Sequence, residues 1–377
     1  MSARAEFLPD VVQMHGFLTQ GFFHSSDNNI YGQSDDGISP GLTEIGANLS
    51  YQALDNLTLA AQGLYRRAGD VDPGSVRLDY GLVDLTLYRF ETGRFGIRGG
   101  RIKIPYGLYN ETRDVSFTHP GILLPQGIYF DRSRSLFLSS DGGAAYLYRL
   151  TDFGDFSFKV NVGLPQSDRE LLIAILGPGA SGVFDADRPV IAAQLNYEIN
   201  DGEYVFAVSF VDLGLKYHPG AQEIFESGRI VIRPLLFSAQ YNGEKFSLTG
   251  EFLHQWNSFT RFGAFLPDRN PISQSWYVEG GYRFLPSWQM FVRYNEHYLD
   301  KNDKTGSQNT LVGLPGHLGF AKDWMMSLRW DVTASWMLRA EYHRVNGTAW
   351  IPAADNPDRS LTHQYWDLFG LQLSYRF

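Results

Sequence analysis

Apolar and polar positions alternate along this chain in segments of about ten to fourteen residues, the two-residue period of strands that bury or lipidate one face and wet the other. No window of eighteen or more apolar residues lacks charge or turn formers, so no helix here can span a bilayer. Short connections rich in Gly, Asp, Asn and Ser separate pairs of these segments: ALDN (53–56), ETGR (91–94), LTDFG (150–154), NDGE (200–203), NGE (242–244), LPS (285–287) and VTAS (332–335). Long ones lie between, at 25–40, 67–76, 106–140, 164–188, 214–226, 257–272, 301–318 and 348–362. Seven short and eight long connections predict sixteen antiparallel strands, with fourteen and eighteen as the counts a boundary error would give. This alternation, with both termini on the short-turn side, is the layout of an all-β transmembrane barrel; a soluble sandwich does not segregate its loops this way.

Aromatic residues agree with that reading, because Tyr, Trp and Phe favour the membrane interface and should cluster at strand ends. They flank six of the seven short turns on both sides, for example Phe90 with Phe95, Tyr241 with Phe246, and Trp330 with Trp336; Tyr51 facing Leu57 is the exception. The last segment puts Tyr365, Phe369, Leu371, Leu373, Tyr375 and Phe377 on one face and Gly370, Gln372, Ser374 and Arg376 on the other. Strands of this kind cross hydrocarbon only when the sheet closes, since an open edge leaves backbone groups unpaired. Val11–His24 is therefore expected to pair with His363–Phe377. No linker or composition shift marks a second domain, so 1–377 reads as one barrel domain with 1–10 as an N-terminal extension.

Composition narrows the chemistry. The absence of cysteine excludes disulfides, thiolate nucleophiles and Cys metal sites. A net charge of −9 without any Lys/Arg block removes the electrostatic footprint of nucleic-acid binding. No Lys/Arg-led apolar stretch ending in a cleavage site opens the chain, so MSARAEFLPD reads as an engineered or matured end.

The connection from Tyr106 to Ser140 is the longest, and its apolar content, including Leu108, Tyr109, Phe117, Ile122, Leu124, Tyr129 and Phe137, is too high for a solvated linker. Folded inward, it would bury these side chains and leave Glu111, Arg113, Asp114, Asp131, Arg132 and Arg134 to line an aperture; packing across the mouth or at a subunit contact is the alternative. Arg98, Arg101 and Lys103 on the preceding strand share the lumenal face only if Gly99-Gly100 hosts a bulge. The same inward parity collects Arg66, Arg77, Lys159, Arg233, Arg283, Arg293, Arg329, Arg339 and Arg376 against Glu44, Asp79, Asp84, Glu251, Glu279, Asp331 and Glu341. Further carboxylates, such as Asp27, Asp35, Asp72, Asp168 and Asp187, fall in the long loops. A basic lumen favours anions.

Other chemistries find less support. No GxSxG elbow or HExxH pair occurs, and His15, His254, His297 and His343 read as wall histidines, so no catalytic residue is assigned. DKNDKTGSQN (300–309) and SSDNNIYGQSDDG (25–37) offer oxygen ligands but break the EF-hand order, Lys304 standing at the fifth position of the first, so polar turn chemistry is preferred over a calcium or other metal site. Leu171–Leu176 is either a short helix at a subunit contact or loop core. The chain is too short for a plugged 22-stranded receptor.

At its terminal Tyr375-Arg376-Phe377 the chain resembles outer-membrane proteins carrying the C-terminal aromatic signal read by the barrel-assembly machinery. Across its length, and locally over GRIKIPYGLYNETRDVSFTHPGILLPQGIYFDRSRSLFLSSDGG (100–143), it resembles the trimeric general porin superfamily. That resemblance implies a homotrimer in the outer membrane of a Gram-negative bacterium, contacting outer-membrane lipid and lipopolysaccharide. It also implies passive diffusion of small polar solutes without a cofactor, and a third loop folded into the lumen. The expected constriction comprises Arg98, Arg101, Lys103, Glu111, Arg113, Asp114, Asp131, Arg132 and Arg134. The sequence departs from familiar members in its mixed-charge third loop and the lack of a PEFGG-type element. The alternative function is a channel specific for phosphate, a dicarboxylate or a sugar, and after it a barrel enzyme.

Overall fold

A computed structural model describes residues 11–221 and 223–377. The extension 1–10, MSARAEFLPD, lies outside the described residues. Among these, seventeen hydrogen-bonded segments form one closed antiparallel sheet. Two of the segments, Val183–Ala186 and Val190–Ile199, pair with successive stretches of the same neighbour and are one interrupted strand. The barrel thus has sixteen strands. They are β1 (Val12–Ser25), β2 (Ser39–Leu54), β3 (Leu57–Ala68), β4 (Asp72–Phe90), β5 (Gly93–Lys103), β6 (Ser139–Thr151), β7 (Gly154–Pro165), the interrupted β8, β9 (Tyr204–His218), β10 (Arg229–Asn242), β11 (Phe246–Thr260), β12 (Ile272–Leu285), β13 (Trp288–Tyr298), β14 (Phe320–Asp331), β15 (Trp336–Gly347) and β16 (Tyr365–Arg376).

Closure is by β1 on β16, in a register running from Phe17↔Arg376 to Ser25↔Leu368. The two-residue period decides which side chains meet hydrocarbon. Met14, Leu49, Ile97, Phe237, Trp324 and Phe369 point outward and are 41–56% exposed, while inward neighbours such as Thr19, Ser209 and Ser374 are wholly covered. Aromatic pairs bracket the short-turn end, with Phe156 on Tyr197 at 4.6 Å, Trp288 on Trp330 at 5.1 Å and Trp336 on Tyr375 at 4.7 Å.

Two expectations need correction. The second long connection shrinks to residues 69–71, because polar residues read as loop continue β4: Ser75 pairs with Arg66, and Asp72 faces Arg66 and Arg77. The Gly99-Gly100 pair carries no register shift against either neighbour, although Gly100 has φ +124. Alternation runs on through it, so Arg101 faces the side opposite Arg98, while Lys103 at the strand's end turns back to the lumen to pair with Asp79 and Asp114.

The lumen is not an open tube. Two apolar clusters fill much of its long-loop half, where the third loop meets the walls. One joins Tyr106, Leu124, Tyr129 and Leu136 to Leu213, Leu236 and Leu253; the other joins Ile122 and Leu123 to Phe23, Val345, Trp350 and Trp366. The Leu171–Leu176 run lies in an α-helix, Arg169–Leu176, whose Leu171 and Leu172 are buried in the first cluster.

Candidate functional site

The third loop, L3 (residues 104–138), leaves the sheet after Lys103 and is gripped by inward side chains from later strands. Glu251 on β11 accepts from the Tyr129 hydroxyl at 2.7 Å and the Leu108 N–H at 3.2 Å, as well as from Ser238 and Tyr277. Arg339 on β15, fully buried, donates to the carbonyls of Ser116, His119 and Gly121 at 3.1, 2.9 and 2.8 Å. Arg329 and Arg293 donate to the carbonyls of Phe117 and Leu123. Glu341, two residues from Arg339 on the same face, accepts the N–H groups of Ile122 and Leu123 at 2.6 and 3.0 Å. Behind it His343 bridges Glu341 and Asp323 at 2.8 Å each. Much of the inner-wall cationic row is thus spent on L3 backbone.

What space remains is three cavities that share lining residues. A cavity of about 460 Å3 on the short-turn side is lined by Gln194, Asn196, Gln240, Thr249, Glu111 and His119. Another of about 370 Å3 lies on the long-loop side, against Arg66, Arg77, Asp131, Arg132 and Arg134. Between them is a neck of about 30 Å3, roughly one water's share of liquid. His119 lines both the neck and the lower cavity; Arg66, Asp131 and Arg134 line both the neck and the upper one.

The neck's charged lining is Glu44, Arg66, Arg113, Asp131 and Arg134. Arg66 pairs with Glu44 at 3.0 Å and Asp131 at 2.5 Å; Arg113 and Arg134 approach Asp131 at 3.7 and 3.6 Å, and Arg134 also pairs with Asp114. The Tyr31 hydroxyl donates to Asp131 at 2.9 Å. Burial alone would raise the Asp131 carboxyl, but Arg66 and Arg113 hold it below the usual range. Burial, reinforced by the Arg339 charge, pushes the His119 imidazole down to about 3.

Of the residues anticipated from sequence, Arg113, Asp131 and Arg134 line the neck. Lys103 and Asp114 adjoin it, paired to each other at 2.5 Å and to Asp79 and Arg134 respectively. Arg132 lines the upper cavity. Glu111 lines the lower one and pairs with Lys159 at 2.5 Å. Arg98 stays on the inner wall away from the neck, bonded to Asp84 at 2.8 Å and 4.8 Å from the Tyr146 ring centre. Arg101 lies on the outward side of its strand and pairs with Asp141 at 2.7 Å, and it also edges the upper cavity; Arg233, also expected inside, pairs outside with Asp212. Glu44 and Arg66 were recognised as inward without being tied to the aperture, although counting outward from the first turn puts them opposite each other. Tyr31, His119 and Gln372 carry no sequence signal for the neck.

Other candidates find occupations elsewhere. Asp303 accepts the Ser307 and Gln308 N–H groups at 2.8 Å each, turn chemistry that uses both carboxylate oxygens. Ser275 meets His297 at 2.6 Å, but both are buried beneath L3, out of a substrate's reach.

No protein-family model and no curated protein matches the chain. Solved structures do. The anion-selective porin from Comamonas acidovorans is similar at 12% identity with TM-score 0.61, covering 97% of this chain and 99% of that one. Outer-membrane expressed OmpT of Vibrio cholerae matches at 10% identity and TM-score 0.59 over 98% and 99%; another OmpT structure is described as a trimer form. The outer membrane channel DcaP of Acinetobacter baumannii matches at 10% identity and TM-score 0.57 over 97% of each chain. At such identities the likeness is one of fold: a closed sixteen-stranded antiparallel barrel.

Proposed function

We propose that this chain is an outer-membrane porin, a narrow water-filled passage through which small polar solutes and ions diffuse, with a weak preference for anions. The observation that carries the reading is a series of three cavities that share lining residues, the middle one bearing three guanidiniums and two carboxylates. Low-dielectric walls keep neck charges from being screened as fully as those at the rim, so the surplus of one cation decides the sign and its smallness limits the size. The neck's width sets a low conductance. Constriction residues in this reading are Glu44, Arg66, Arg113, Asp131 and Arg134, with Lys103, Asp114, Glu111, Arg132 and Arg101 shaping the approaches; Arg98 drops out.

Reversal potentials across a salt gradient in planar bilayers test both pore and sign. The wild type should favour chloride modestly. Asp131→Asn should strengthen that preference and Arg134→Gln weaken it, each by up to about fivefold, the worth of one charge near 4 Å in water. Clear cation selectivity in the wild type would overturn the charge reading, and absence of conductance the pore. The long-loop end faces outward from the cell in this proposal, the outer wall contacts lipid and lipopolysaccharide, and the C-terminal aromatic addresses the assembly machinery.

A further inference from the structure

The upper cavity holds guanidinium that its own carboxylates do not neutralise. Asp72 is used by Arg66 and Arg77 at 3.5 and 2.5 Å, and Asp79 by Lys103 at 2.7 Å. Asp131 serves Arg66, Arg113 and Tyr31, and Asp168 caps its helix by accepting the Leu171 N–H at 2.9 Å. Arg132 lines the same cavity. Among the described residues no carboxylate lies within ion-pair distance of it and no hydrogen bond reaches its side chain. Its guanidinium rests 5.3 Å from the Phe130 ring centre.

The charge that does act on Arg132 has the wrong sign. Burial together with Arg359, from the last long loop, pushes the Arg132 guanidinium down to about 10. Arg359 likewise has no carboxylate partner among the described residues, and its side chain makes one long contact, 3.4 Å to the Ile351 carbonyl. On β4, Arg77 gives one N–H to Asp72 while its Nε is buried and unpartnered. A half-buried guanidinium that faces a second cation and lacks a counter-ion is favoured by an anion from solution that completes it. The planar fork of arginine matches two oxygens of a carboxylate or phosphate in one plane.

We propose that the cavity above the neck is a binding subsite for a small oxyanion of the carboxylate or phosphate class, held by Arg132 with Arg77 as second anchor. The inference rests on the porin reading for its purpose, but not for its chemistry. A volume of about 370 Å3 admits inorganic phosphate or a four-carbon dicarboxylate together with water. The neck below, about 30 Å3, admits neither without widening, so such an anion halts where Arg132 stands. The subsite concentrates one solute class at the entrance of a passage that itself discriminates weakly.

Calorimetry on the folded, detergent-solubilised chain tests this directly, titrating inorganic phosphate and, separately, succinate against sodium chloride of matched ionic strength. Saturable binding of either probe is expected. Arg132→Gln should weaken it about tenfold or more, as loss of a charge-assisted pair does, and Arg77→Gln should weaken it less. Arg132→Lys, which keeps charge and bulk but not the fork, should fall between. Which probe binds tells phosphate from carboxylate. No saturable binding of either, or binding unchanged in a heat-resistant Arg132→Gln barrel, overturns the proposal. Single-channel recording of the same samples separates the two readings: conduction without binding removes the subsite and leaves the pore, whereas binding without conduction does the reverse.

Discussion

Arg339 shows how a wall charge is used in this barrel. It is fully buried, and its partners are the three L3 carbonyls, the Gln372 side-chain oxygen at 3.2 Å and the Met337 sulfur. Arg339→Met would keep the bulk and strand those carbonyls, at about 1–3 kcal/mol each if they stay dry. L3 should therefore leave the wall. Single-channel conductance is expected to rise while the barrel keeps its resistance to heat and detergent; unchanged conductance would place the restriction elsewhere. Glu341→Gln, which retains an acceptor oxygen, should act in the same direction but less. That Arg339 points inward is legible from parity. Its task is not, because backbone acceptors have no side-chain signature in a sequence. The inward assignment failed at Arg101 and Arg233 for a different reason. The lipid-exposure cost of an Arg applies at the bilayer midplane and fades near the interface, where Asp141 and Asp212 neutralise these two.

At the scale of elements, the period of two and the composition of the short turns made nearly every strand legible, while the second long connection was overdrawn because Asp72 and Ser75 look like loop residues. L3 could be recognised as a packed, inward loop from its apolar content, but its path past Glu44 and Arg66 depends on contacts more than sixty residues away in sequence, such as Arg66 with Asp131. The docking of L3 should be sensitive to acid. His119 is held neutral in the docked loop, its folded value of about 3 lying below its ordinary 6.5. Undocked, it binds a proton at a higher pH, so docking is favoured fully above about 6.5 and loses ground as pH falls toward 3. Asp131, depressed in the docked state, adds its own loss only as pH drops below the ordinary carboxylate range. Protease cleavage within L3 should accordingly increase between pH 7 and 4, and His119→Gln should flatten that range. An equal pH dependence in His119→Gln would assign the effect to another group.

For the whole molecule, small residues gather on the outer wall of β3 to β6, where a shallow apolar groove of about 570 Å3 runs past Leu59, Gly81, Val83 and Gly99. Ala61, Gly63, Gly81, Gly99 and Gly143 present outward, and at Gly63 and Gly99 an added Cβ would meet nothing within 4 Å. A grooved apolar wall suits side chains of a second barrel, and the trimer expected from the porin resemblance would place its contact here. Gly63→Phe with Gly99→Phe fits the single barrel sterically, so a shift from trimer to monomer in light scattering would locate the contact, and a wild-type monomer would remove it. The grip on L3 has a further consequence, for the order of events in assembly. Several anchors of the loop lie far downstream: Tyr129 waits for Glu251, 122 residues on, and Ile122 for Glu341, 219 residues on. Until those strands arrive and the first pairs with the last, this apolar loop lacks much of its seat. It spends the longest interval of biogenesis uncovered, so sequestration by a periplasmic holdase before insertion should depend on this loop more than on any strand.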